Sequence, residues 1–233
     1  MFTKKLYYIK RWRQQRAREP TRSRVITFRG YARLILSMVE SSSLILDVGC
    51  DSGVMARMLE SEGEKNLVGI ELVNRFKHGK DISFLLAENT HLPFRRKAFD
   101  LIFARKFVSI RDTKESLNEF HEILKDEGKL IIEVPNVQRL KSRIYTSLGL
   151  TPLYPQKYFP HLHLASFKKI LYQRNFKILR IEGDYIFIPL IGRLLSYFRL
   201  DLLTKFLGQF KPTLCMHLFG VCEKRAREHY GDT

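Results

Sequence analysis

The segment Leu46-Asp47-Val48-Gly49-Cys50-Asp51-Ser52-Gly53 ends an apolar run and opens a helical one. A glycine-rich turn at such a point lets a ligand reach the backbone, and the helix start offers free N–H groups. Two ligand classes compete for it. A dinucleotide requires G-x-G-x-x-G, with small residues where the pyrophosphate lies. This chain has Asp51 where the second glycine would stand, and a carboxylate there repels phosphate. A ligand with a sulfonium, an ammonium and no phosphate tolerates it, which favours S-adenosylmethionine over NAD. Glu71 closes the next apolar run, eighteen residues after Gly53. A carboxylate there can accept bonds from ribose hydroxyls.

Other reactive side chains carry less. Cys50, Cys215 and Cys222 are the three cysteines of the chain. They are too few for a disulfide framework and fit a reducing compartment. Cys50 reads as a small buried filler, and the other two as core thiols. His161-x-His163 has no neighbouring carboxylate or Cys partner in sequence, so no metal is expected there. His161 stands as a candidate base toward a substrate. Asp100 reads as a structural residue at a strand start.

Alternating elements must hold these groups. Val25–Glu40 reads as a helix on Ile26, Leu34, Ile35 and Met38. Strands are expected at Leu44–Val48, Leu67–Leu72, Ser83–Leu86, Leu101–Ala104 and Leu130–Val134. Helices are expected at Gly53–Glu62, Thr113–Leu124 and Phe167–Arg174, the last with Ser166 as N-cap. Phe176–Ile181 and Leu214–Val221 close the chain as an antiparallel pair at a sheet edge. Strands alternating with helices point to a mostly parallel sheet with helices on both faces.

At 233 residues with 45% apolar content the chain can bury a proper core. Aromatics at 12% exclude global disorder. The net charge of +17 points to an anionic partner: nucleic acid, anionic lipid or a phosphorylated substrate. The first 24 residues hold nine Lys and Arg against Glu19, about +8. Phe2, Leu6, Ile9 and Trp12 recur there at helical spacing, and Pro20 should end that helix. Residues 1–24 thus read as a basic amphipathic arm, ahead of one domain over 25–233. The arm suits a docked helix, a membrane surface or RNA. It lacks the uninterrupted apolar core of a secretory signal, and no stretch of the chain is apolar enough for a transmembrane helix. The expected location is cytoplasmic, with peripheral contact to a membrane.

LDVGCDSG, then GIEL, then FLLAENTHLPFRRKAFDLIFA, then LNEFHEILKDEGKLIIEVPN resemble the class I S-adenosylmethionine-dependent methyltransferases. The closest group is the large type 11 set acting on small molecules. Four motifs occur in order over roughly residues 44–136, and residues 160–182 resemble the segment those enzymes place before their sixth strand. The resemblance implies a Rossmann-like, mostly parallel sheet with an antiparallel last strand. It places Asp47, Gly49, Cys50 and Gly53 beside the methionine part of the cofactor, with Asp51 in the same turn. It gives Glu71 to the ribose hydroxyls and Leu72 to the adenine flank. Glu88 stands for the acid that reaches the adenine amino group, Asn89 for the backbone N–H at the ring, and Arg105 lines the methyl-donor site.

This sequence departs from the family pattern three times. Asp51 replaces the middle glycine, Glu88 replaces an Asp, and Ser109 stands where a His is often found. The acceptor must come from the insertions. Residues 184–212 read as a helical cap, with Asp201 capping a stripe of Leu202, Leu203, Phe206, Leu207 and Phe210. That stripe suits a small, apolar or lipid-linked acceptor. Two alternatives are an RNA methyltransferase using the basic arm and a cofactor-binding protein without catalysis.

Overall fold

The structure is a computed structural model that describes residues 22–63, 66–74, 82–105, 110–150, 162–184 and 209–226. Residues 1–21 of the expected arm, Ser109, His161 and most of the expected cap (185–208) lie outside the described residues, and α1 begins inside the expected arm, at Arg22. The helices are α1 (Arg22–Leu36), α2 (Val54–Ser61), α3 (Ile110–Ile123), α4 (Leu140–Ser147) and α5 (Leu164–Gln173). The strands are β1 (Ile45–Val48), β2 (Leu67–Glu71), β3 (Ile82–Leu86), β4 (Phe99–Arg105), β5 (Leu124–Pro135), β6 (Phe176–Gly183) and β7 (His217–Lys224). They follow the order β3-β2-β1-β4-β5-β7-β6. β1, β2 and β3 pair in parallel, whereas β5–β7 and β6–β7 are antiparallel. This is the Rossmann-like sheet that the sequence implies.

The chain divides into two compact units, Met1–Phe103 with Ile123–Gly128, and Ala104–Glu122 with Lys129–Thr233. In the first unit, every residue of β1 is buried. Ile45, Leu46 and Val48 suit a strand covered on both faces, and Asp47 is the one buried carboxylate among them. α1 packs through Phe28, Ala32 and Ile35, spaced four and three apart, rather than through Leu34 and Met38. It ends at Leu36, four residues before the expected end, where the Ser37 hydroxyl donates to the Leu34 carbonyl. Such side-chain bonds compete with helix continuation. Asp100 is structural, as expected: its Oδ2 accepts the Leu44 N–H at 2.8 Å, and Lys125 pairs with it.

β5 begins at Leu124 rather than Leu130, and in the second unit α3 begins at Ile110 rather than Thr113 and two further starts shift. α5 starts before Ser166, which is its N3 residue, not its N-cap. His163 is the N-cap: its Nδ1 accepts the Ser166 N–H, while the Ser166 hydroxyl accepts the His163 N–H. That reciprocal pair fixes a helix start earlier than the apolar pattern shows. β7 begins at His217, not Leu214. Pro212–Leu214 is a single 3-10 turn with Pro at its start, and buried Asn136 holds the approach. Asn136 Nδ2 donates to the carbonyls of Thr213 and Cys215, both at 2.9 Å, and its own backbone N–H donates to the Met216 carbonyl. α4, which no sequence signal announces, buries none of its side chains, so it has no apolar stripe to find. Gly220 lets β7 pass α5 closely, since a Cβ there would lie 3.3 Å from the buried Phe167 ring.

Candidate functional site

The turn after β1 is shaped by three left-handed positions, Gly49 (φ 74°), Asp51 (φ 52°) and Gly53 (φ 74°). Glycine adopts this region without a Cβ penalty, and Asp is among the few other residues that tolerate it. Asp51 therefore keeps the backbone path of the glycine it replaces. The Gly49 and Cys50 N–H groups both donate to the Ile70 carbonyl of β2, at 2.9 and 3.1 Å. Gly53 N–H returns to the Cys50 carbonyl at 2.8 Å, and α2 starts at once behind it. Arg57 on α2 donates to the Ser52 carbonyl. A Cβ added at Gly49 would meet nothing within 4 Å, so the backbone is open there to a ligand.

Glu71, at the end of β2, joins this turn. Its Oε2 accepts the Asp51 N–H at 3.1 Å and its Oε1 accepts the Leu72 N–H at 2.8 Å. Each carboxylate oxygen has a second lone pair, so ribose hydroxyls can still be accepted. Leu72 beside it is 41% exposed, an accessible apolar face next to the carboxylate. Ala87 N–H donates to the Glu71 carbonyl, which brings Glu88 alongside at the end of β3. Glu88 bridges to His91 around the turn that contains Asn89. Asp47, Gly49, Cys50, Asp51, Gly53, Glu71 and Leu72 thus gather around one turn, with Glu88 and Asn89 at the next strand end.

The electrostatics of the turn are anionic. Burial pushes the Cys50 thiol far above its ordinary range, and the carboxylates of Asp47, Glu71 and Asp51 push it further. A thiol so placed stays protonated and inert, which agrees with its reading as a filler. Cys222 is likewise pushed up to about 12 by burial. Cys215 reaches about 12 through burial and then the Asp184 carboxylate. All three thiols are buried, and none is joined in a disulfide. The carboxylate share of that effect also disfavours a phosphate and favours a cationic ligand. The donors, the open backbone at Gly49 and the Glu71 carboxylate fit S-adenosylmethionine.

Arg105, in the second unit, is engaged by a neighbouring strand. Its Nε donates to Glu133 Oε2 at 2.6 Å, and Glu133 is fully buried. Glu133 Oε1 lies 3.6 Å from His217 Nδ1, which is 2.6 Å from Asp184 Oδ2. Sequence reasoning misses this group. Its one signal is Glu133 inside IIEVPN, an acid at the end of an apolar strand. His163 serves as a helix cap.

A family profile described as a methyltransferase domain matches residues 15–181. An uncharacterised protein of Methanocaldococcus jannaschii is 32% identical over 121 residues, 50% of this chain and 53% of its own length. The chain therefore spans about half the length of that curated relative. A solved S-adenosylmethionine-dependent methyltransferase from Archaeoglobus fulgidus superposes with a TM-score of 0.60 at 17% identity, covering 86% of this chain and 94% of its own. A [4+2]-cyclase superposes with a TM-score of 0.61 at 14% identity, covering 91% and 85%. At such identities the two structures establish the fold alone.

Proposed function

The chain belongs to the methyltransferase-domain family, and from that premise we propose that it methylates a small, apolar or lipid-linked acceptor with S-adenosylmethionine held at the Asp47–Gly53 turn. The carrying observation is the charge of that turn. Burial first, and then the carboxylates of Asp47, Glu71 and Asp51, raise the Cys50 thiol; the three carboxylates around the turn are the part that suits a sulfonium and an ammonium. When bound, the cofactor supplies a methyl group already activated for one in-line displacement. The chain's own part is positioning. Gly49 keeps the backbone open, Glu71 offers acceptors to the ribose, and Leu72 offers an apolar face to the adenine. Glu88 and Asn89 extend the site as the family resemblance implies. A base is needed only where the acceptor is a hydroxyl that must lose its proton.

The apolar reading of the acceptor rests on the Leu202–Phe210 stripe of the sequence. A second reading, RNA, rests on the +17 charge and the arm of about +8. Among the described residues no helix is long and apolar enough to cross a membrane; the basic arm is the segment we assign to lipid contact. A screen with methyl-labelled cofactor against separated lipid, RNA and metabolite fractions tests the proposal. Label in lipid or apolar metabolites is expected. Label confined to RNA would replace the acceptor, and label in no fraction, with cofactor bound, would leave a binding protein. Calorimetry should show S-adenosylmethionine and S-adenosylhomocysteine binding with no uptake of NAD; tighter binding of NAD would sink the cofactor reading.

A further inference from the structure

Glu133, Asp184 and His217 are separated by 51 and 33 positions in the chain, yet one ligand atom of each lies within 4.8 Å of the others. The pairing of the second unit brings them together. β5 and β7 are antiparallel with Pro135 opposite His217, and β6 and β7 are antiparallel with Gly183 opposite Leu218. The end of β5, the residue after β6 and the start of β7 therefore share one end of the sheet. Their side chains are little exposed, at 2%, 13% and 12%.

Each carboxylate is oriented through one oxygen and turns the other to the imidazole. Arg105 Nε holds Glu133 Oε2, and Oε1 faces His217 Nδ1 at 3.6 Å. The His217 backbone N–H holds Asp184 Oδ1 at 2.9 Å, and Oδ2 meets Nδ1 at 2.6 Å. Hydrogen bonds to the far atoms of ligating carboxylates are the usual support of a metal site. We propose that Glu133 Oε1, Asp184 Oδ2 and His217 Nδ1 bind a divalent first-row cation, Zn2+ foremost. One imidazole with two carboxylates is a donor set that such ions accept. Two donors at about 2.1 Å from a tetrahedral ion lie about 3.4 Å apart. The Glu133–His217 separation already meets this, and the Asp184–His217 pair must open by about 0.8 Å. On coordination the proton between Nδ1 and Oδ2 is displaced, to Nε2 from a neutral imidazole or to the buffer from a cationic one, and the Nδ1 lone pair goes to the ion.

This proposal is independent of the methyl-transfer reading. Untagged full-length chain is stripped with chelator, dialysed and titrated with ZnCl2 by calorimetry. One ion per chain is expected. His217→Gln and Asp184→Asn should each weaken binding at least about tenfold, while His91→Gln, at an exposed turn of the first unit, leaves it unchanged. Co2+ added to the wild-type chain should give the visible bands of a site with nitrogen and oxygen donors and no sulfur. That spectrum decides the matter even where a variant fails to fold. S-adenosylhomocysteine affinity, measured on the same samples, reports the cofactor site separately. No stoichiometric uptake by the wild type, or unchanged affinity in both variants, would overturn the proposal.

Discussion

The turn at Asp47–Gly53 and the cluster at Glu133, Asp184 and His217 both concentrate carboxylates in a chain of net charge +17, but they are built by opposite means. The turn is local. Three left-handed residues within five positions set its path, and one strand end, Glu71, closes it. Its hydrogen bonds are mostly backbone to backbone, so its shape tolerates side-chain change wherever φ is respected. The cluster is assembled from three strand ends and held side chain to side chain. A local site can lose one carboxylate and keep its form. A cluster of buried charges loses its balance when one member goes.

The largest expected effect tests that contrast in the second unit. Glu133→Ala removes the buried carboxylate that the Arg105 guanidinium meets at 2.6 Å. Removing one partner of a buried pair costs about 3–5 kcal/mol. Urea unfolding followed by circular dichroism measures it, and a loss under about 1 kcal/mol would mean that the cluster behaves like a surface pair.

In the first unit the same kind of truncation should strike binding rather than folding. Glu71→Ala is expected to cost roughly 1.5–3 kcal/mol of S-adenosylmethionine affinity, as charge-assisted hydrogen bonds do. Calorimetry beside a thermal melt separates the two effects. Unchanged affinity would remove Glu71 from the cofactor site.

The smallest effect is the sharpest on charge. Asp51→Asn keeps a residue that tolerates φ near 52° and removes the negative charge. Its affinity for S-adenosylmethionine, a sulfonium, should fall by roughly 0.5 kcal/mol relative to neutral S-adenosylhomocysteine. Asp51→Ala should in addition lower stability by about 1 kcal/mol, the cost of a left-handed residue with a Cβ and no compensating side chain. Equal losses for both ligands in Asp51→Asn would show that the turn does not discriminate by charge.

Most of the first unit is legible in its residues. The expected β1, β2 and α2 lie within one or two residues of the observed elements, because an apolar run, a glycine turn and a helix start follow one another within twenty positions. The inert Cys50 and the structural Asp100 follow from equally short-range patterns. Asp51 looks like a defect in the motif, and only its φ shows that it carries the glycine's conformation.

The second unit is less legible, and its misses have physical causes. β7 starts three residues late because Asn136, more than seventy positions earlier, takes the carbonyls of Thr213 and Cys215. α5 starts early because an imidazole, not a hydroxyl, caps it. His217 shows no motif, since Asp184 and Glu133 reach it only through antiparallel pairing. The sequence by itself determined the alternating α/β order, the glycine turn and the acid at the second strand end, because those features need only backbone conformation and short spacing. Tertiary structure decided which distant acids meet His217, since strand register is set by the fit of whole faces and not by any neighbouring residue.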